Sequence, residues 1–401
     1  MAKGRGGFIG QDGLNAPDSP TGVTGTAGDQ QVSVAFTAPT DVGGSAITGY
    51  RVQDGTNAHG ASGSSSPITV TGLTNDTAYT FNVWAINAFG YSAPSDASGS
   101  VTPVLPAPVG LFFGGFRDDD NLEFDTIDEI NIASTGNATD FGDLTSGLRF
   151  AGACSSSTRG LVGGGDGPSG IVNVIQYVTI ASAGNAQDFG DLTSALRQLS
   201  SSSNSTRGVW YGGRNSSNSQ VSTIQYVTIA STGNASSFGS LTNGVRRNAA
   251  ACASPTRGLF GGGDPSNQKI EYITFASTGD STNFGDLPLD ANTLASCSSS
   301  TRGLFSGGYS GSIQNFIHYV TIASTGNSTD FGDLLASTRQ HTGTSSETRG
   351  IFAGGNNDSG TEYNTIQYVT IASTGNATDF GDLTAAKDSL CACSDSHGGL
   401  Q

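Results

Sequence analysis

The stretch "IQYVTIASTGNATDFGDLT" (residues 366–384) is almost a copy of "IQYVTIASAGNAQDFGDLT" (residues 175–193). Its first six residues read as a strand, with Ile366 and Tyr368 on one face and Val369 and Ile371 on the other. A strand apolar on both faces is covered on both sides. The turn "STGN" supplies Gly and Asn, which tolerate positive φ. "DFGDL" then gives a further, outer strand. Its Phe recurs as Phe141, Phe189, Phe238, Phe284, Phe331 and Phe380, at spacings of 48, 49, 46, 47 and 49 residues. A regular period of this size means a solenoid, a propeller or an array.

A second landmark, "TRG" followed by an apolar pair and glycines, ends its first half at Gly160, Gly208, Gly258, Gly303 and Gly350. Its second half exists in six copies: GLFFGG, GLVGGG, GVWYGG, GLFGGG, GLFSGG and GIFAGG. After "DFGDL" comes an Arg, read as Arg149, Arg197, Arg246 and Arg339, then a strand of Ala, Cys and Ser. Such small residues suit a crowded inner edge. Four short strands in about 48 residues fit one propeller blade. The chain stops where a seventh "GLFxGG" would begin, and its first unit starts at that same point. A strand near residues 388–396 is therefore expected to complete the unit begun by residues 110–144, leaving no open edge.

The layout resembles the Kelch repeat. The Gly pair is Gly114-Gly115 and its equivalents, and the second-strand aromatic is Tyr177, Tyr226, Tyr272, Tyr319 and Tyr368. Phe141 and its counterparts stand where that family usually has Trp, while Asn292 and Lys387 depart from the Arg position. Residues 17–103 differ in character. "GYRV", "AINAFGYSAPS" and a Leu73…Tyr79 spacing of the tyrosine-corner kind are similar to the fibronectin type III pattern, with Phe36 at its usual Trp position. The fold class expected is all-β: a fibronectin type III β-sandwich followed by a six-bladed Kelch-like β-propeller. The expected division is a Gly-rich anchoring segment at 1–16, the sandwich at 17–103, a Pro-rich linker at 104–109 and the propeller at 110–401.

Charged residues make up 12% of the chain and its net charge is −16. Nucleic-acid backbones and anionic membranes repel such a chain, so neither is an expected partner. No run of 18 apolar residues exists, and the start "MAKGRGGFIGQDG" lacks the apolar segment of a secretory signal. Membrane insertion and conventional export are not expected.

Candidate chemistry is sparse. "GNATDFGD" repeats an Asn and two Asp, such as Asn137, Asp140 and Asp143, but the third unit carries Ser237 and Ser240 instead. Carboxylates accepting backbone N–H bonds in a turn explain the pattern better than calcium does. "RDDDNLEFD" (117–125) is the densest acidic run, and Asp118, Asp119 and Asp120 are the candidate calcium ligands; a solvated loop is the plainer reading. No other cofactor is expected. Cys154, Cys252, Cys297 and Cys393 share one register with Ser202 and Thr344, which reads as a packing slot, since no Cys-x₂-Cys or His cluster accompanies them. None of His59, His318, His341 and His397 belongs to a nucleophile motif, so no catalytic residue is named.

The turns hardly change between units, whereas the loop after "GLFxGG" changes every time: 116–126, 166–174, 214–223, 264–269, 309–316 and 356–365. A diversified face on a rigid scaffold is where binding sits. Phe116, Arg214, Tyr309, Phe316, His341 and Tyr363 are its candidate residues. The start "GRGGFIGQDGLNAP", the fibronectin-like module and the "YVTIASTGNATDFGDL" repeats together resemble structural proteins of tailed phages, particularly marine cyanobacterial ones. The resemblance implies a non-enzymatic virion protein of the tail or a fibre, made in the host cytoplasm and released by lysis. It would meet other virion proteins through its N-terminal segment and fibronectin-like domain, assemble as an oligomer, and present the propeller to a host-surface glycan. A bacterial surface adhesin or scaffold, and a propeller enzyme acting on glycans, are the alternatives.

Overall fold

The computed structural model describes residues 15–265 and 267–400. They form an all-β structure, with one 3-10 turn at Gly398–Leu400 and no α-helix among the described residues. The chain divides into two compact units, Met1–Pro106 and Ala107–Gln401.

In the first unit, β1 (Thr21–Gly28), β2 (Gln31–Thr37), β3 (Gly49–Asp54), β4 (Gly60–Gly63), β5 (Ile68–Thr71), β6 (Phe81–Asn87) and β7 (Gly90–Tyr91) make two antiparallel sheets, ordered β1-β2-β5 and β4-β3-β6-β7. Alternation decides the packing. Phe81, Val83 and Ala85 of β6 are buried and meet Val32, Val34, Val52 and Val70 in one core. Phe36 packs on Tyr50 with ring centroids 4.8 Å apart. Tyr79 closes its corner by accepting the Thr74 N–H at 3.0 Å. Beside β6 the chain is held by serines three residues apart. Ser92, Ser95 and Ser98 each donate a backbone N–H to β6 and accept one of its N–H groups on the hydroxyl.

The second unit contains six four-stranded antiparallel sheets, with strands here lettered a to d from one edge to the other. Sheet 1 is formed by Cys391–Ser394, Val109–Phe113, Thr126–Asn131 and Thr139–Asp143. Its strand a comes from the far end of the chain, with Cys393 opposite Leu111. Sheets 2 to 6 are continuous in sequence, and their strands a are Gly152–Ser155, Ser200–Ser203, Ala250–Ala253, Ala295–Ser298 and Thr342–Ser345. Each strand a touches the next, and that of sheet 6 touches that of sheet 1. Apolar clusters lie between consecutive sheets. One joins sheets 1 and 2 around Phe141 and Val178, and another joins sheets 6 and 1 around Phe380 and Ile130. The cysteines fill the expected slot. Cys154, Cys252, Cys297 and Cys393 are buried in the a strands, and burial pushes the Cys252 and Cys393 thiols up to about 12.

Polar pins stitch each sheet to the next. Asn185 Oδ1 accepts the Asp143 N–H of sheet 1 at 3.1 Å, and Asn137 accepts the Asp382 N–H of sheet 6 at the same distance. The Asn that follows the turn glycine thus reaches across sheets. Asp140 and Asp143 themselves lie in strand d, Thr139–Asp143, which corrects their reading as turn residues. One glycine of this contact is sterically required: a Cβ on Gly381 would lie 2.4 Å from the Gly136 carbonyl oxygen. The Arg of "TRG" is a second pin. Arg159 stacks over Tyr177, 4.9 Å from the ring centroid, and donates to the Ile229 carbonyl of sheet 3 at 3.0 Å.

Candidate functional site

Just before each strand a, one residue adopts left-handed backbone geometry. These six are Phe150, Gln198, Asn248, Thr293, Gln340 and Ser389, with φ between 53° and 57°. Each donates its N–H to the carbonyl of its counterpart in the preceding unit, at 2.7–3.1 Å, and Phe150 donates to Ser389. The hydrogen bonds therefore form a closed circuit of six. Together with strand a residues, the circuit lines a cavity of about 140 Å³.

The residue before each of these six pairs with the first residue after the Gly-Gly turn of its own sheet: Arg149 with Asp166, Arg197 with Arg214, Arg247 with Asp264, Asn292 with Tyr309, Arg339 with Asn356, and Asp388 with Phe116. The third Arg of this series is Arg247, which corrects the sequence reading of Arg246. The linker after Leu241 is one residue longer than that after Leu192, so the equivalent position shifts by one. Arg246 occupies the fully buried preceding position and forms an ion pair with Glu271 at 2.6 Å. Lys387 occupies the equivalent place in sheet 1 and lies 3.0 Å from Asp128.

The candidate loop residues separate into groups. Phe116, Arg214 and Tyr309 share the post-glycine position, because the two positive-φ glycines turn the chain back toward strand a. Phe116 is buried, with the Arg149 guanidinium 4.0 Å from its ring centroid. Arg214 donates to the Asn218 carbonyl, and Tyr309 is exposed. Tyr363 donates its N–H to Gly355 beside the same turn in sheet 6. Phe316 begins strand c of sheet 5 and packs edge-on to His318, which removes it from this group. His341 is a correction: it is buried between sheets 5 and 6 against Phe352, bonded to Ser306 at 2.9 Å, with Nδ1 unpartnered. Its equivalents Leu199, Leu294 and Leu390 are apolar and buried.

Of the acidic run, only Asp118 meets other carboxylates. Oxygens of Asp118, Glu362 and Asp388 lie within 4.8 Å of one another. Asp120 instead pairs with Arg117 at 2.6 Å, and Asp119 is exposed. Glu362 accepts the Asp118 N–H, and Asp388 accepts from Asn356. Calcium takes 6–8 oxygens, so three carboxylates already serving such donors are a poor calcium cage. Burial raises Asp388 to about 6; Asp118 and Glu362 add to the rise, and hydrogen bonds from Ser389 and Asn356 oppose it. Sequence inspection missed both Glu362 and Asp388, which only the strand a closure brings to Asp118.

Comparison with known proteins places one part of the chain. Residues 18–100 match the fibronectin type III domain family and are a domain of that type. The chain is also 42% identical over 85 residues to exoglucanase A of Cellulomonas fimi, a match covering 21% of this chain and 10% of the exoglucanase. The match thus spans about a tenth of that relative. No helix among the described residues is long and apolar enough to cross a membrane.

Proposed function

We propose that residues 107–401 form a six-bladed Kelch-like β-propeller, and that the chain is a non-enzymatic structural protein of a tailed-phage particle, tail- or fibre-associated, which displays the propeller's loop end to a host glycan or another virion protein. The observation that carries the propeller reading is the closed circuit of six hydrogen bonds, with a core between each consecutive pair of sheets. A frame stitched by repeated pins and bearing unequal loops is suited to recognition, because rigid elements hold the variable side chains in place. Buried thiols pushed up by desolvation speak for packing in the a strands. The virion assignment draws on the combination of Gly-rich start, fibronectin module and "YVTIASTGNATDFGDL" repeats. In this reading the segment 1–16, which lies outside the described residues apart from its last two, joins the fibronectin domain in meeting other virion proteins.

A second reading, a bacterial glycan-binding adhesin or scaffold, is favoured by the identity to part of an exoglucanase. Mass spectrometry of purified particles separates the two. The chain is expected among particle proteins, with antibody label at the tail; its absence from particles overturns the virion reading.

A further inference from the structure

Elsewhere in the repeat, positive φ is met with glycine apart from the two loop asparagines Asn121 and Asn218, the residue type that best tolerates it after glycine. The Gly-Gly turn after strand b is glycine at both positions in all six units, from Gly114-Gly115 to Gly354-Gly355. Around the axial cavity the same left-handed geometry carries six side chains and no glycine. Glycine is the residue that adopts this conformation without steric cost. Thr293 is β-branched, and for such a residue positive φ is a genuine outlier. The hydrogen-bonded circuit uses only backbone atoms, so it does not require these side chains. Backbone strain of this kind collects at functional sites.

We propose that the side chains of Phe150, Gln198, Asn248, Thr293, Gln340 and Ser389 form a binding site for one uncharged sugar ring. The inference rests on the ligand-display reading above and is independent of the virion assignment.

Size, polarity and charge each select the ligand. The cavity of about 140 Å³ is well below the roughly 300–1,000 Å³ of sites for larger ligands, so it takes a single ring. Five of the six side chains are amides or hydroxyls, which both donate and accept, as sugar hydroxyls do. Phe150 adds an apolar face. Two of the amides are held in place beforehand. Arg247 donates to Gln198 Oε1 at 2.8 Å, while Gln340 accepts from Asn356 and donates to Ser389, each at 3.1 Å. Held side chains lose less freedom on binding. None of the six is charged, and the nearest arginines are engaged: Arg197 bonds Asp166 at 2.6 Å and Arg247 bonds Asp264 at 2.5 Å. An anionic sugar would have to compete for them.

The test is saturation-transfer NMR on the full chain with the methyl glycosides of glucose, galactose, mannose and N-acetylglucosamine, and with glucuronic acid as the charged control. At least one neutral glycoside is expected to bind with a millimolar constant. Asn248→Gly and Phe150→Gly should each weaken it tenfold or more while raising the melting temperature, because glycine relieves the left-handed backbone. Should either glycine variant lose its cooperative melt, Asn248→Ala takes its place. Silence from all four neutral glycosides, unchanged affinity in the variants, or tighter binding of glucuronic acid overturns the proposal. The virion reading stands or falls separately, on particle composition.

Discussion

Sheets 1 and 2 follow one template yet fill the same buried positions with opposite chemistry. The third residue of strand c is Gln176 in sheet 2 and Asp128 in sheet 1; the position preceding the Arg series is Leu148 in sheet 2 and Lys387 in sheet 1. Sheet 4 repeats the charged solution with Glu271 and Arg246, and sheet 3 the neutral one with Gln225 and Leu196. The oxygen on strand c has a constant task, which is to accept a hydrogen bond from the preceding sheet. Gln176 takes it from the Thr145 N–H at 2.8 Å, Glu271 from the Thr242 N–H at 2.9 Å, and Asp128 from the Thr384 hydroxyl at 2.6 Å. Sheet 5 is the exception that explains the rule. Its donor position is Pro288, which has no N–H, and its strand c residue is His318 instead of an amide or acid. A buried position accepts a new chemical group when its partner changes with it.

The largest test breaks one charged pair. Lys387→Ala leaves Asp128 buried without its cation and should cost about 3–5 kcal/mol in urea unfolding. The paired change Lys387→Leu with Asp128→Gln imports the sheet 2 solution and should return stability to within about 1 kcal/mol of the parent. If the single and paired variants unfold alike, sheets 1 and 2 are not equivalent solutions.

Asp388 gives the next effect, and it depends on pH. Its folded pKa of about 6 lies above the ordinary carboxyl value of 3.8, so the folded state binds the proton more tightly. Its contribution is therefore fully present below about pH 4 and is lost as pH rises through about 6. Asp388→Asn should gain up to about 3 kcal/mol at pH 7.5 and nothing at pH 3.5, read as melting temperature against pH. A gap of the same size at both pH values removes the acid cluster from the explanation.

Arg302→Ala should cost about 1–2 kcal/mol, through the Ile371 carbonyl bond and the stack over Tyr319. Sheet 1 has Val109 and Glu129 at these two positions, so Val109→Arg with Glu129→Tyr should gain stability there. The smallest effect is expected from Ser306→Ala with His341→Leu. This change removes the unpartnered Nδ1, adopts the Leu of other units, and should stabilise by about 1 kcal/mol.

The period of Phe141 and its counterparts made the repeat and its strands legible, because a shared residue type marks a shared place. The hydrogen-bonded circuit was hidden for the opposite reason. Phe150, Gln198, Asn248, Thr293, Gln340 and Ser389 have a backbone angle in common and no residue type. His341 looked like a loop residue because its polarity outweighed its alignment with Leu199 and Leu294. The Asp118–Glu362–Asp388 cluster joins residues far apart in sequence, and no local pattern carries that juxtaposition.

The closure of sheet 1 has a consequence in time. Val109 N–H is held by Asp395, 286 residues later. At about 5–20 residues per second, strand b of sheet 1 leaves the ribosome about 15–60 s before strand a exists. Through that interval its inner edge is unpaired and open to any strand that reaches it. The error this topology invites is a domain swap, in which Cys391–Ser394 of one nascent chain completes the first sheet of another.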